Sequence, residues 1–317
     1  MDKIRLEGVT YRYDIGTPFE QIALDDVTLS IEAGKITGII GHTGSGKSTM
    51  MKLLNGLDRP TVGKVYLDGA CINATKKEWL AQALEDEKYK DLPKIAKKKA
   101  ILKDYADFHK NLCFRVGLVM QYPEYQLFEE TVAKDIAFGP RNMGLSEEEI
   151  AKRIKEAAAF TGVSEDLFEK SPFDLSGGQK RRVALAGVIA MRPEVLVLDE
   201  PAAGLDPRGR NNVFESIVDY RNKTGSTIVI VSHSMEDMAK YCDRVVVMNH
   251  ARVAMVGERK EVFAHVKELA GMGLDIPEIT RLAELLRAKG LPLTDAIYTV
   301  EEAKDALLAL WKGGIGQ

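Results

Sequence analysis

Apolar and polar residues alternate with a period of two along residues 4–13 and 27–31, the pattern of strands buried on one face, and Gly34 punctuates the second. An antiparallel β layer is expected first. The pattern then changes to continuously apolar runs at 36–40, 114–120, 194–198 and 227–231. Such runs suit the central strands of a parallel sheet covered on both faces. One more short strand is expected between Gly63 and Gly69.

Helical spacing fills the intervals. Ser146 and Glu149 have the spacing of a capping box that opens a helix running to about Thr161, and Val183, Ala184, Val188 and Ile189 mark another helix. Pro277 is expected to begin a helix with Ile279, Leu282, Leu285 and Leu286 on one face and Gly290 as its stop. Thr299 to Glu302 caps a last helix carrying Leu307, Leu308, Leu310 and Trp311, whose apolar face either folds back on the core or pairs with a subunit. The fold class is α/β.

Composition changes between Thr75 and Leu112, where ten lysines and seven acidic residues crowd together. Trp79, Leu80 and Leu84, then Ile101, Tyr105 and Phe108, have helical spacing on either side of Pro93, so two amphipathic helices are expected as an insertion. The insertion is either a solvated charged excursion or a partner surface.

With 317 residues, 45% apolar and 29% charged, the chain can bury one sizeable core and a small second domain. Its net charge of −3 argues against a nucleic-acid protein that relies on bulk positive charge. The uncharged stretch with helical spacing at 183–191 is nine residues long, far short of the roughly 20 needed to cross a bilayer. Met1-Asp2-Lys3-Ile4-Arg5 lacks an apolar signal region, so residence in the cytoplasm is expected. Cys71, Cys113 and Cys242 are scattered, as reduced structural thiols would be.

The candidate chemistry begins at Gly41-His42-Thr43-Gly44-Ser45-Gly46-Lys47-Ser48-Thr49, between a strand and a helix. Gly41, Gly44 and Gly46 let successive backbone N–H groups turn inward without Cβ clashes, at a helix start carrying about half a positive charge. Lys47 adds a full charge for the β- and γ-phosphates, and the Ser48 hydroxyl can take one coordination position of a bridging Mg²⁺. This is a P-loop, and a nucleoside triphosphate is the expected ligand. Tyr11 and Tyr13 share a strand face, and Tyr13, nearest the turn at Asp14, is the candidate for stacking on the base.

Further polar groups end the other apolar runs. Gln121 follows one of them, where its amide can reach Mg²⁺ or the attacking water while Tyr122-Pro123-Glu124-Tyr125 faces outward. Asp199 ends another and can hold Mg²⁺; Glu200, one residue on, can orient water for attack on the γ-phosphate. His233 follows the last, placed to donate to the γ-phosphate. Ser176, Gly177, Gly178 and Gln179 open a second phosphate-facing helix start. One triphosphate hardly needs two such cradles from one subunit, so this one is expected to serve the nucleotide of a neighbouring subunit, with Asp206 a candidate cross-subunit contact.

In this order, the P-loop, Gln121, Leu175-Ser176-Gly177-Gly178-Gln179, Asp199-Glu200, Gly204-Leu205-Asp206 and His233 resemble the nucleotide-binding subunit of ATP-binding cassette transporters. The resemblance covers residues 1–257 and implies a P-loop NTPase fold with an antiparallel β subdomain, a helical subdomain at about 122–190 and the charged insertion at about 75–112. It leaves 258–317 as a small C-terminal helical domain, a candidate for dimerisation. It also implies Tyr13 as the adenine-stacking aromatic, residues 176–179 as the signature that caps the partner's ATP, and Glu200 as catalytic base. Residues 121–140, 231–237 and 273–282 are similar to the ATPases of energy-coupling factor transporters, particularly the second of their two paired ATPase subunits.

That similarity implies uptake of vitamins or transition-metal ions, powered from the cytoplasmic face of the membrane by ATP and Mg²⁺. The implied partners are a second, different ATPase subunit, a transmembrane scaffold protein and a substrate-binding membrane protein, with no nucleic acid. The loop holding Glu124, Glu129 and Glu130 is the candidate for docking basic coupling helices of the scaffold. Two features depart from the family pattern: Ala202 replaces a common Thr, and the insertion lengthens the spacing from Lys47 to Gln121. The alternatives are ATPases of DNA repair or translation regulation. The former normally carry a very long coiled coil between their head motifs, whereas 152 positions separate Lys47 from Asp199; the latter usually carry two heads.

Overall fold

Two β layers are built from interleaved parts of the chain, and the computed structural model describes residues 1–84, 86–293 and 297–312. β1 (Asp2–Tyr13) pairs antiparallel with β2 (Gln21–Glu32), as the period-two alternation requires. β3 (Ile36–Ile40) and helix α1 (Lys47–Leu54) leave this layer; β4 (Val62–Leu67) and β5 (Ala70–Cys71) return to it, giving the order β2-β1-β4-β5.

Helices α2 (Lys76–Ala83) and α3 (Lys94–Arg115) follow, then β6 (Val116–Val119). A helical layer of α4 (Val132–Asn142), α5 (Glu147–Thr161) and α6 (Gly177–Ile189) precedes β7 (Val195–Asp199). The chain then alternates through α7 (Pro207–Thr224), β8 (Thr227–Val231), α8 (Met235–Tyr241), β9 (Arg244–Asn249) and β10 (Arg252–Glu258). The second sheet has the order β10-β9-β3-β8-β7-β6, parallel from β9 to β6 with β10 antiparallel at one edge.

Every residue of β3, β7 and β8 is buried, because helices cover one face of this sheet and the antiparallel layer with α1 covers the other. Ile36, Leu196, Leu198, Ile228 and Ile230 pack toward the helices; Ile39, Val195, Val197, Val229 and Val231 pack toward β1, β2 and α1. Each such side chain contributes roughly 1.5–3 kcal/mol when fully buried. The continuous apolar runs are thus two interleaved faces of one sheet.

Several expectations are corrected. The run at 114–120 is a strand only over Val116–Val119; Phe114 and Arg115 complete α3, whose last turn closes with the Val116 amide on Leu112 O. Arg115 gains from that placement, donating to Glu194 Oε1 at 2.7 Å and to Asp68 Oδ2 at 2.6 Å. Ser146 caps α5 by accepting from the Glu149 amide, but the Glu149 carboxylate binds Arg153 and Arg192, ion pairs that occupy it in place of a return bond to the cap. In the insertion Trp79 packs on Tyr105, Phe108 and His109, with ring centroids 5.1–5.7 Å apart, whereas Leu84 faces solvent because α2 rests on α3 through its Trp79 side.

Beyond β10 run α9 (Arg259–Ala264), α10 (Val266–Gly271), α11 (Glu278–Ala288) and α12 (Val300–Lys312). Val262, Phe263 and Leu269 join the main core; Ala283, Leu293, Ile297 and Ala303 form a small core of their own. Pro277 precedes the first turn of α11, and Leu282 and Leu285 point to solvent. Thr280 and Ala283 take the buried face, since the Thr280 hydroxyl donates to Ile297 O at 2.8 Å and draws that side inward. On α12, Leu310 packs inward while Leu307, Leu308 and Trp311 are exposed. Among the described residues no helix is long and apolar enough to cross a membrane.

At the sheet edge Arg115, aided by Lys3, holds the Glu194 carboxyl down at about 2, against the opposing effect of partial burial. The folded state thus binds the proton less well than the unfolded chain, so this pairing stabilises above the ordinary carboxylate range and is lost as pH falls toward about 2. Replacing Glu194 by Gln should cost no more than about 1 kcal/mol at neutral pH, because the side chain is 41% exposed and solvent-screened. Denaturant unfolding of both proteins should show that difference shrinking between about pH 5 and pH 2; a gap constant with pH would assign the cost to something other than the carboxylate charge.

Candidate active site at the carboxyl edge of the parallel sheet

The parallel register aims the carboxyl ends of β3, β6, β7 and β8 in one direction, so the residues that follow each strand converge. A cavity of about 380 Å³ lies there, walled by Thr43, Gly44, Gly46, Lys47, Ser48 and Thr49 on one side and by Gln121, Asp199, Glu200 and His233 on another, with Tyr13 at its rim. The structure therefore brings together most of the residues singled out in the sequence.

The loop after β3 wraps tightly. Gly46 has φ +101°, and a Cβ there would lie 2.3 Å from Ala23 O; a Cβ on Gly41 would lie 2.4 Å from Met248 O. Only glycine fits at either place. Lys47 is buried and donates through Nζ to Gly41 O at 2.6 Å and His42 O at 2.9 Å, so the loop curls around its own cation. Burial pushes its pKa down, opposed by the charges of Glu200 and Asp199. Gly41, His42 and Ser45 form the back of the loop and do not line the cavity. His42 Nε2 lies 3.1 Å from Asn249 Oδ1, and the Ser45 hydroxyl is buried beneath the loop without a hydrogen-bond partner. Behind the helix start, the Tyr13 hydroxyl and the Thr49 hydroxyl are 3.0 Å apart, which ties the Tyr13 ring to the loop.

Asp199 is 8% exposed, and burial, reinforced by the neighbouring Glu200 charge, pushes its carboxyl up to about 6. Glu200 adopts φ +47°, a left-handed backbone unusual for a side chain of its size. Its amide donates to Val231 O at 2.8 Å and its Oε2 accepts from the Ser232 hydroxyl at 3.2 Å. Its Oε1 is enclosed, makes no hydrogen bond and lies 3.5 Å from His233 Nε2.

Two sequence-derived groups lie elsewhere. Ser176 caps α6, accepting from the Gln179 amide while the Gln179 side chain accepts from the Ser176 amide; Gly177 has nothing within 4 Å of a Cβ position, so this helix start is open to the outside. Asp206 caps α7, accepting from the Gly209 amide at 2.6 Å, and is exposed. Neither borders the cavity. The expectation of an outward acidic loop is corrected at Glu124, which is half-buried with Oε2 enclosed, while Glu130 is exposed together with the aromatic Tyr122, Tyr125 and Phe128. Burial of Pro123 and the packing of Leu127 into the core flank Glu124 and hold its segment against the protein.

Reasoning on the sequence missed Arg181 and Ser232, both of which hold Glu200. Arg181 carries a faint signal: it lies one helical turn before buried Leu185, so a charged residue occupies a core-facing position.

A strand, glycine loop and helix around a buried lysine, with an acidic pair ending the next strand but one in the same parallel sheet, define a P-loop ATPase of the cassette type. The family model described as ABC transporter matches residues 24–203, and the chain belongs to that family. It is 46% identical to the energy-coupling factor transporter ATP-binding protein EcfA2 of Caldanaerobacter subterraneus subsp. tengcongensis over 310 residues, 98% of each chain. It is 47% identical to the protein of that name in Clostridium perfringens over 308 residues, 97% of this chain and 98% of the relative. Within the ABC transporter family the chain therefore belongs with the energy-coupling factor ATP-binding proteins, as its segments at 121–140, 231–237 and 273–282 suggest.

Among solved structures it is similar to cbiO1 from Clostridium perfringens, part of the ABC transporter complex cbiONQ, with a TM-score of 0.66 and 36% identity over 89% of this chain and 99% of that one. The dimeric post-hydrolysis structure of the ATP-binding cassette MJ0796, bound to ADP and Pi, matches with a TM-score of 0.63 and 25% identity over 81% of this chain and 98% of that one. This membership favours a transport ATPase over the DNA-repair and translation alternatives.

The loop geometry makes a specific demand. Gly46→Ala should push the loop off Ala23 and strain a left-handed backbone, costing about 1–3 kcal/mol of stability and weakening ATP retention at least about 10-fold. Equilibrium dialysis with ATP and a thermal melt check both; unchanged retention would show that the loop tolerates a Cβ.

Proposed function

We propose that the chain hydrolyses ATP at the Lys47 loop as one half of a closed pair of ATPase subunits and thereby drives uptake through an energy-coupling factor transporter. The observation that carries this reading is the separation of two cradles. Lys47, Asp199, Glu200, His233 and Gln121 share one cavity, while the Ser176 helix start lies outside its lining with open space at Gly177. A second subunit brings its own Ser176-type start over this cavity and presents its own triphosphate to this one.

In this reading the loop amides and the Lys47 ammonium hold the β- and γ-phosphates, and the Tyr13 ring supports the base. Leaving its two backbone acceptors for phosphate oxygens keeps Lys47 charged, because the acids behind it oppose the effect of burial. Ser48, Gln121 and Asp199 offer only oxygen donors on the cavity wall, and two crowded carboxylates, one pushed up to about 6, suit a hard divalent cation. Mg²⁺ held there supplies neutralisation of phosphate charge.

Glu200 is built to orient water. With Oε2 engaged by Ser232, Oε1 is left to accept from the attacking water and take its proton. His233 Nε2, beside Oε1, donates toward the γ-phosphate and fixes the direction of approach. Closure of the pair excludes bulk water; loss of the γ-phosphate removes the contacts that favour the closed state. Chemistry becomes motion by that route.

The partners that fit are a second, different ATPase subunit, a transmembrane scaffold and a substrate-binding membrane protein, with the chain at the cytoplasmic face of the membrane. Exposed Tyr122, Tyr125 and Phe128 offer an apolar footing for scaffold helices, with Glu129 and Glu130 at its margin. A vitamin or transition-metal ion is the cargo class. The cassette spans 1–257, and residues 258–317, with Leu307, Leu308 and Trp311 exposed, are the candidate dimerisation element. In the assembled transporter Glu200→Gln should lower kcat for ATP by at least about 100-fold while leaving ATP affinity within about 3-fold. Turnover close to the parent's would remove Glu200 from the chemistry.

A further inference from the structure

Arg181 lies in the second turn of α6, and its side chain runs back toward the helix start. It is 7% exposed, and among the described residues its hydrogen bonds go to backbone carbonyls. Its Nη2 donates to Gln121 O at 2.9 Å and to Glu200 O at 2.7 Å, and its Nη1 donates to Ala203 O at 2.5 Å. Those carbonyls belong to the segment after β6, the turn after β7 and the approach to Asp206. A planar guanidinium spreads its donors over two separate terminal nitrogens to reach all three, whereas an ammonium must draw every donor from one nitrogen.

The cation is expensive to bury, and burial accordingly lowers its pKa, opposed by Glu124 and other nearby negative groups. A residue serving helix packing alone would gain nothing by carrying that cost, since Leu or Met would fill the space. What Arg181 secures is the unusual backbone of Glu200. A left-handed non-glycine residue persists when its surroundings hold it from several sides. Here Val231 fixes the Glu200 amide, Ser232 its carboxylate and Arg181 its carbonyl.

We infer that Arg181 is a positioning residue for hydrolysis, one that locks the Glu200 turn and the Gln121 loop to the helix headed by Ser176. This rests on the reading of Glu200 as the residue that orients water. Ser176 and Arg181 lie on one short rigid helix, so a triphosphate from the facing subunit that draws in the Ser176 end also moves the anchor of Glu200. Arg181 thus ties the occupancy of one nucleotide site to the readiness of the other. The role differs from binding, because Arg181 does not border the Lys47 cavity; it borders a separate cleft of about 630 Å³ between α5, α6 and α7.

That cleft makes chemical rescue feasible. The transporter assembled with its partner ATPase is assayed for ATP hydrolysis as Arg181→Ala, Arg181→Lys and, in parallel, Glu200→Gln. Arg181→Ala should lower kcat by about 10- to 100-fold with KM for ATP within about 3-fold. Millimolar guanidinium should restore at least about 5-fold of that loss, and ammonium at equal ionic strength should restore none. Arg181→Lys keeps the charge but gathers its donors on one nitrogen and loses the two-nitrogen fork, so it should stay within about 3-fold of Arg181→Ala. If Arg181→Ala fails to assemble, Arg181→Lys decides. A kcat within about 2-fold of the parent for either Arg181 variant, or no selective rescue by guanidinium, overturns the inference. Normal turnover by Glu200→Gln would instead overturn the catalytic reading beneath it; an inactive Glu200→Gln beside an active Arg181→Ala would sink only the role of Arg181.

Discussion

Parallel strand pairing with both faces buried is the constraint on which the rest of the structure depends. Because β3, β6, β7 and β8 run the same way, four otherwise unrelated sequence positions are delivered to one edge. Because both faces are covered, the strands cannot slip: a shift by one residue would exchange Leu196 and Leu198 with Val195 and Val197 between the two cores. The catalytic geometry is therefore held by hydrophobic packing well away from the cavity. Polar bonds at the edge refine it locally.

That edge concentrates conflict. A buried lysine, a buried aspartate whose carboxyl is pushed up to about 6 and a glutamate in a left-handed backbone stand close together, each unfavourable alone. In the proposed reading, bound ligands balance these charges: phosphate oxygens for the loop and Lys47, a divalent cation for the acids. Arg181 and Ser232 hold the conflict in place from outside the cavity. Function sits where local preference is overridden, and the override is supported from a second layer of side chains.

Much of this was legible in the residues. The Gly41 to Thr49 loop, the buried runs ending in Gln121, Asp199 and His233, and the capped helices at Ser176 and Thr299 all follow from local rules of backbone freedom, pattern and capping. What escaped was decided by contacts distant in sequence. Whether Phe114 continues a helix or begins a strand depends on Arg115 finding Glu194, 79 positions away. The inward turn of Glu124 and the exposure of Leu282 and Leu285 likewise reflect neighbours that apolar spacing does not name. The role of Arg181 was not legible, because its core-facing position hints at burial but its partners are backbone carbonyls, which leave no trace in side-chain pattern.

The pocket shared between subunits is tested most directly by asking whose nucleotide Ser176 grips. In a complex with the partner ATPase, Ser176→Arg in this chain is combined with a photoreactive ATP analogue, and the two subunits are separated after crosslinking. A shared pocket predicts that label trapped on the partner subunit is lost while label on this chain, held at Lys47, persists. Loss of label from this chain with the partner unaffected would contradict it, placing Ser176 and Lys47 on the same nucleotide.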